Sequence, residues 1–361
     1  MNTVDALLIS QKRSILERPS DRGEARQVTS DPRLTLLDLI NGFQIAQAIR
    51  VASTLRVADH LNDGARSASE LAELTKSHPD SLYRLLRALA AVGVFREDEG
   101  RKFTLTPMSD CLRTDSATPI GAWAELVGGP YFWQVWGHLL HSVQTGENAF
   151  QDLNGKDVWQ FRAEHPEHGA AFDRAMSQLS RGSAEAVIHA YDFSSFRHMV
   201  DVGGGQGLML AAILRAHPHM RGTLFDQSDV VAGAKAVLAE RGVIERCDIV
   251  GGNFFEAVPE DGDAYLMRVV IHDWEDDEAI AILKVCRRAM RQTAKLLLIE
   301  RLIAPPNEMP AAKFSDLNML VSPGGRERTR EEFSDLFGRS GFELTFVFPA
   351  GLHNVIEARP R

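Results

Sequence analysis

The stretch MVDVGGGQGLML (199–210) ends an apolar run in an acid and then makes a turn containing four glycines. Such a turn lets a ligand lie against bare backbone, and the spacing of the glycines says which ligand. A dinucleotide fingerprint needs a small third residue so that helix and strand can pack closely. Counting from Gly203 puts Leu208 in that place, and counting from Gly205 puts Leu210 there. The Lys-Ser/Thr ending of a phosphate-binding P-loop is also missing. What remains is D-x-G-x-G-x-G, formed by Asp201, Gly203, Gly205 and Gly207. This pattern suits a cofactor with an adenosine and no phosphate, of which S-adenosylmethionine is the common one. Further on, Asp226 closes the run GTLFD, where a carboxylate can accept hydrogen bonds from both ribose hydroxyls. An acid there also occurs in nicotinamide sites, so the glycine spacing is what discriminates.

The second chemical group is VVIHDWEDDEA (269–279). His272 is read at the end of a strand, where the reactive end of a bound cofactor should point. A phenol ionises near pH 10 and an ordinary histidine near 6.5, so full proton transfer between them would be uphill by roughly 5 kcal/mol. A neighbouring carboxylate lessens that cost by stabilising the imidazolium. Glu300, closing the next apolar run KLLLIE, is placed to do so. His272, Asp273 and Asp276 could be read as metal ligands, but a general base is the better reading and no metal is expected. Helix capping accounts for Asp276 and Asp277.

These residues need a scaffold that gathers them. From residue 191 the sequence alternates strand and helix, with strands at HMVDVG, GTLFDQ, CDIVGGN, AYLMRVVIHD and KLLLIE. The alternation predicts a doubly wound α/β domain with a mostly parallel sheet over 191–361. The tail, GFELTFVF and HNVIEARP, closes it with antiparallel strands. Asp201, Asp226, Asn253, His272 and Glu300 then share the carboxyl edge of one sheet, where ligands of such folds bind.

The rest of the chain divides into three parts. Residues 1–30 read as a polar arm. Residues 31–115 begin with a helix, LTLLDLINGFQIAQAIRVA (34–52), apolar on nearly all sides, whose extra burial could come from a second subunit. A capping box at Ser67 and Glu70, a helix carrying Leu82, Leu85, Leu86 and Leu89, and a hairpin follow in a winged-helix pattern. Its second helix offers only Arg84 and Arg87, and its wing carries Glu97, Asp98 and Glu99, so it reads as a packing module, not a DNA reader. Residues 116–190 read as a helical linker rich in aromatics, which serve as core or wall a flat, apolar ligand in an acceptor pocket.

Composition narrows the class. The chain has 361 residues, 44% hydrophobic and 25% charged, with a net charge of −9 that argues against nucleic-acid and anionic-membrane partners. Its three cysteines form no disulfide framework or metal knuckle, and fit a reducing cytoplasm.

The motifs DVGGGQG, LFDQ, GGNFFEAVP, MRVVIHDWEDDEA, LLLIE and GGRERTREEF, in this order, resemble the class I S-adenosylmethionine-dependent small-molecule O-methyltransferases. That family spans plant caffeic acid and flavonoid enzymes and bacterial secondary-metabolite tailoring enzymes. The resemblance implies a winged-helix-like homodimerisation domain ahead of a Rossmann-like catalytic domain, and a hydroxylated aromatic small molecule as acceptor. It implies Phe254 against the adenine, Asn253 where relatives have aspartate facing the adenine amine, and Arg268 where plant members have lysine. It further implies Glu300 and Glu327 flanking His272, and Asp273, Phe172, Met176 and Met319 around the acceptor. Three other readings stay open: a tailoring enzyme that binds this cofactor without transferring methyl, a ligand-responsive winged-helix regulator, and a nicotinamide oxidoreductase.

Overall fold

The computed structural model describes residues 31–361; the arm expected over 1–30 lies outside the described residues. The chain forms two compact units, Met1–Arg113 and Thr114–Arg361. The helical stretch expected to line the acceptor pocket belongs to the second unit, with the sheet.

In the first unit the single helix expected over 34–52 is two, Pro32–Ile40 and Gly42–Thr54, interrupted at Asn41. Gly42 follows at the break, where the helix is weakest. Pro32–Ile40 buries none of its residues, and Leu39 and Ile40 are 73% and 57% exposed. The capping box forms: Ser67 Oγ accepts from Glu70 N–H, and Glu70 Oε2 accepts from Ser67 N–H at 2.7 Å. The helix Pro79–Ala91 buries Leu82, Leu86 and Leu89. Strands β1 (Arg66–Ser67), β2 (Phe95–Asp98) and β3 (Lys102–Leu105) form an antiparallel wing in the order β1-β3-β2. Phe95 and Phe103 pin it to the core.

The second unit carries a seven-stranded sheet. Its strands are β4 (His198–Val202), β5 (Arg221–Asp226), β6 (Cys247–Gly251), β7 (Ala264–Arg268), β8 (Lys295–Glu300), β9 (Phe342–Ala350) and β10 (His353–Pro360). Their order is β6-β5-β4-β7-β8-β10-β9. β4 to β8 are mutually parallel, and β10 runs antiparallel to both β8 and β9. Strands covered on both faces read as unbroken apolar runs. LLLI of β8 is such a run, wholly buried between two apolar clusters. The chain first winds outward through β4, β5 and β6, then returns to place β7 on the other side of β4. That reversal opens a crevice beyond the ends of β4 and β7, the switch point at which such sheets bind ligands.

The large residue that excludes a dinucleotide fingerprint is accommodated from the strand side. Leu210 lies in the first turns of the helix Leu208–Ala216, and β5 carries Gly222 beneath it. A Cβ at Gly222 would lie 2.8 Å from Leu210 Cδ1. We expect Gly222→Ala to destabilise the protein by about 1–3 kcal/mol through overpacking. Urea unfolding measures this; an unchanged midpoint would refute the close contact.

Candidate active site

The glycine turn and Asp226 are tied together. Gly203, Gly205 and Gly207 take φ of +70°, +59° and +81°, a region open to glycine and costly for other residues. Gly205 N–H donates to Asp226 Oδ2 at 2.8 Å, and Gln227 N–H donates to Oδ1 at 2.7 Å. Each carboxylate oxygen keeps a lone pair for a further donor. A Cβ at Gly205 would meet nothing within 4 Å, so that face of the turn is open. A Cβ at Gly203 would lie 2.7 Å from Val270 and 3.8 Å from the Phe254 ring. Asp201 lies beneath the turn, buried and without a hydrogen-bond partner on either oxygen. Burial, and then the charge of Asp226, push its carboxyl up to about 7. This set fits a nucleoside without phosphate: two acceptor oxygens for a diol, bare backbone, and an aromatic face.

Asn253 stands just past β6. Its Oδ1 accepts from Phe255 N–H at 3.0 Å and its Nδ2 donates to Glu256 Oε1 at 3.1 Å. The amide thus caps the turn carrying Phe254, with one lone pair of Oδ1 unused. Phe254 meets Trp274 edge-on at 6.0 Å. Arg268, at the end of β7, donates to Ser180 Oγ at 2.8 Å and to Ser183 Oγ at 3.0 Å. Both serines lie on the long helix Pro166–Ala190, so Arg268 fastens that helix to the catalytic edge of the sheet.

His272 is not at a strand end. β7 stops at Arg268, and His272 lies beyond it in a one-turn 3-10 segment, Ile271–Asp273. Val269 makes the last ladder bond, to Ile299 O, and then takes φ +49°, a strained position for a β-branched residue. The two N–H groups freed by this turn, Val270 and Ile271, both donate to Glu300 Oε1, at 3.1 and 2.9 Å. Glu300 Oε2 makes no hydrogen bond and lies 3.7 Å from His272 Nδ1. His272 Nδ1 donates to Glu327 Oε1 at 3.1 Å, while Nε2 faces Asp273 Oδ1 at 3.5 Å. Burial opposes the imidazolium, but Glu300, Asp273 and Glu327 outweigh it and raise its pKa to about 10. Burial also pushes Glu300 up to about 7 and Asp273 up to about 6. Burial alone would raise Glu327 too, yet its bonds to His272 and Ser315 hold it below the ordinary value.

Several supports of this cluster are invisible in the motifs. Ser315 Oγ donates to Glu327 Oε1 at 2.6 Å and accepts from Arg301 Nη1. Asp316 Oδ1 accepts from Glu327 N–H at 2.9 Å. Arg328, 1% exposed, donates to the carbonyls of Ile271 and Trp274 and, through Nε and Nη2, to Asp276 Oδ1. Asp276 is therefore not a side-chain cap. Glu275 holds the cap position of the helix Asp276–Ala289 without a side-chain bond, and Asp276 serves the arginine. Gly325 presses on the same backbone, for a Cβ there would lie 2.2 Å from His272 O. The glycine pair at 324–325 was the one available sign of this close approach.

The expected acceptor residues lie on two helices and an aromatic wall. Phe172 and Met176 are one turn apart on the long helix, followed by the Arg268-bound Ser180. Met319 is buried one turn beyond Ser315 on the helix Pro310–Val321. Trp274 stacks on Trp159 at 6.2 Å, and Trp159 meets Phe172 edge-on at 6.0 Å, so one aromatic wall runs from Phe254 to Phe172.

Comparison with known proteins places the chain in a family. Residues 136–343 match the O-methyltransferase domain model, and residues 37–115 match the O-methyltransferase dimerisation domain model. The chain belongs to the O-methyltransferase family, a class I S-adenosylmethionine-dependent family. It is 43% identical to the phenazine O-methyltransferase PhzM of Lysobacter antibioticus, over 90% of this chain and 95% of that one. It is 40% identical to the mitomycin biosynthesis 6-O-methyltransferase of Streptomyces lavendulae, over 94% and 96%. It is also similar to the O-methyltransferase of neocarzinostatin biosynthesis solved with S-adenosylmethionine and a hydroxy-methyl-naphthoic acid. That likeness has a TM-score of 0.73 at 33% identity, over 88% of this chain and 96% of that one.

Gly325→Ala should displace the His272 turn while leaving the glycine turn and Asp226 untouched. We expect turnover to fall by about 10- to 100-fold, as misplaced catalytic groups do. Titration calorimetry should show S-adenosylmethionine affinity within about twofold of wild type, a change below 0.5 kcal/mol. Unchanged turnover would mean that the turn tolerates the displacement.

Proposed function

We propose that this O-methyltransferase methylates a phenolic hydroxyl of a flat aromatic acceptor of secondary metabolism, with His272 as the base. The observation that carries the reading is the buried His272–Glu300–Glu327 cluster next to the glycine turn. S-adenosylmethionine, when bound, supplies an electrophilic methyl group on a sulfonium sulfur. Asp226 would hold the ribose hydroxyls, Gly203 and Gly205 the adjacent backbone face, Phe254 the adenine ring and Asn253 its amine. Asp201 and Arg268 would support this side from below and from the long helix. Phe172, Met176, Met319 and Asp273 would wall the acceptor.

His272 receives the proton as the acceptor oxygen bonds to the methyl carbon. With an ordinary histidine this transfer is costly, but near pKa 10 the imidazole matches a phenol. Sulfonium charge is lost in the reaction, so no oxyanion hole is needed; alignment and proton removal carry the rate. Glu327 fixes the tautomer by accepting a hydrogen bond from Nδ1–H, which leaves Nε2 for the acceptor. We expect His272→Ala to lower turnover by about 100-fold or more with cofactor affinity kept. Wild-type turnover in that variant would sink the role.

The sign of the pH dependence follows from the raised pKa. The base form of His272 exists only above its folded pKa, so kcat/KM should rise with pH toward about 10. Glu300→Gln keeps an acceptor for Val270 and Ile271 but removes the charge that stabilises the imidazolium. The break in the pH–rate profile should then move to lower pH. An unmoved break would show that the charge of Glu300 does not act on His272.

The same reading extends to assembly. Leu36, Leu37, Leu39, Ile40 and Phe43 are exposed in a region matching a dimerisation domain, and would be covered by a second copy of the chain. Leu37→Asp with Ile40→Asp should turn a dimer into a monomer in sedimentation velocity. A monomeric wild type would overturn the proposal. No described helix is long and apolar enough to cross a membrane.

A further inference from the structure

Arg162 has no place in the chemistry above, yet it sits against the acceptor wall. Its guanidinium lies 3.6 Å from the Phe172 ring centroid and 5.1 Å from that of Trp159. It lies in the fields of Asp273 and Asp173, but among the described residues no carboxylate comes within ion-pair distance of it. Arg162 Nε is buried and makes no hydrogen bond. The Tyr131 hydroxyl lies against the Arg162 side chain and interacts with it, and the Trp159 Nε1 is buried without a partner. The Tyr131 ring is held by stacking on Phe161 and His168 and edge-on against Phe150, so its hydroxyl is fixed beside the guanidinium. Buried donors are nearly always paired, and each exception calls for a reason. Here Arg162 and Trp159 each leave a buried donor unpaired, and Arg162 is a cation stacked on rings with no carboxylate at ion-pair distance among the described residues.

We propose that Arg162, with Tyr131 and Trp159, forms an anion subsite, and that the acceptor is a hydroxylated aromatic carboxylate. The guanidinium fork matches a carboxylate in plane and can donate to both of its oxygens. The rings of Phe172, Trp159 and Trp274 offer faces to the flat body of the same molecule. Asp273 joins the two ends, since it faces His272 Nε2 on one side and lies in the field of Arg162 on the other. The carboxylate would thus anchor the acceptor at Arg162 while its hydroxyl meets His272. A neutral phenol would leave the buried Nε of Arg162 without an acceptor, so the subsite selects against it.

The proposal rests on the acceptor lying along this wall, and its test does not depend on turnover. Hydroxynaphthoate, and the naphthol that lacks only its carboxylate, are titrated into the full-length protein loaded with S-adenosylhomocysteine. Quenching of tryptophan fluorescence reads binding in wild type and in Arg162→Gln, whose fold is checked by circular dichroism. We expect wild type to prefer the carboxylate by about tenfold or more, a charge-assisted contact, and Arg162→Gln to lose that preference. Lack of preference in wild type, or an equal preference in Arg162→Gln, overturns the subsite. Methylation of neutral phenols without a preference would sink the subsite alone. A preference without methylation of any acceptor would sink the reaction assigned to His272 and leave the subsite standing.

Discussion

Glu300 uses one carboxylate for two purposes, and the geometry of the site depends on both. Its Oε1 gathers the N–H groups of Val270 and Ile271, which the end of β7 leaves without ladder partners. Its Oε2 faces His272. The first grip satisfies the two N–H groups that Val269, at positive φ, turns away from the ladder. The tight turn is what lifts His272 off the sheet edge and into the cluster. The charge that favours the imidazolium and the backbone bonds that place it thus come from one side chain. That side chain is wholly buried at the end of the most apolar strand, so it has little freedom to let either go.

A buried turn needs support on its carbonyl side too. Arg328 provides it, binding the carbonyls of Ile271 and Trp274 while Asp276 balances its charge. Buried charges are costly unless paired and hydrogen-bonded, and this cluster is charged throughout. Arg328 is paired with Asp276, and His272 lies among Glu300, Glu327 and Asp273, with Oε2 of Glu300 and of Glu327 making no hydrogen bond. Removing one member would strand another. The cofactor side follows a different plan. Asp226 holds the glycine turn by one backbone bond per oxygen and keeps its other lone pairs outward. Rigidity there comes from glycine conformation and strand register, and on the acceptor side from ionic pairing.

Much of this was legible in the sequence, for local reasons. Apolar runs ending in acids located β4, β5 and β8, and the glycine spacing separated a nucleoside site from a dinucleotide one. A pattern of one strand cannot report what reaches it from far along the chain. His272 was expected at a strand end because AYLMRVVIHD is apolar up to it; the strand stops four residues earlier because Glu300 competes for the backbone. Asp276 reads as a cap because acids favour helix starts, and Arg328, which claims it, lies 52 residues further along the chain. The place of Leu210 in the glycine motif was read correctly as excluding a dinucleotide. Its accommodation by Gly222 depends on sheet register, which the motif does not contain.

The two halves of the site have opposite electrical needs, and the fold keeps them on different elements. A base raised toward a phenol's pKa requires negative charge close to His272, and three carboxylates supply it from β8, the 3-10 turn and the segment after Gly325. The same charge would repel an anionic acceptor. Two of the cations near the centre make no direct ion pair with that cluster. Arg268 is locked by two serines of the long helix, and Arg162 is held on aromatic rings at the wall. Neither neutralises His272's carboxylates by a direct ion pair, so His272 keeps its raised pKa. In the proposed reaction the anion subsite at Arg162 and the base at His272 would thus act at opposite ends of the acceptor.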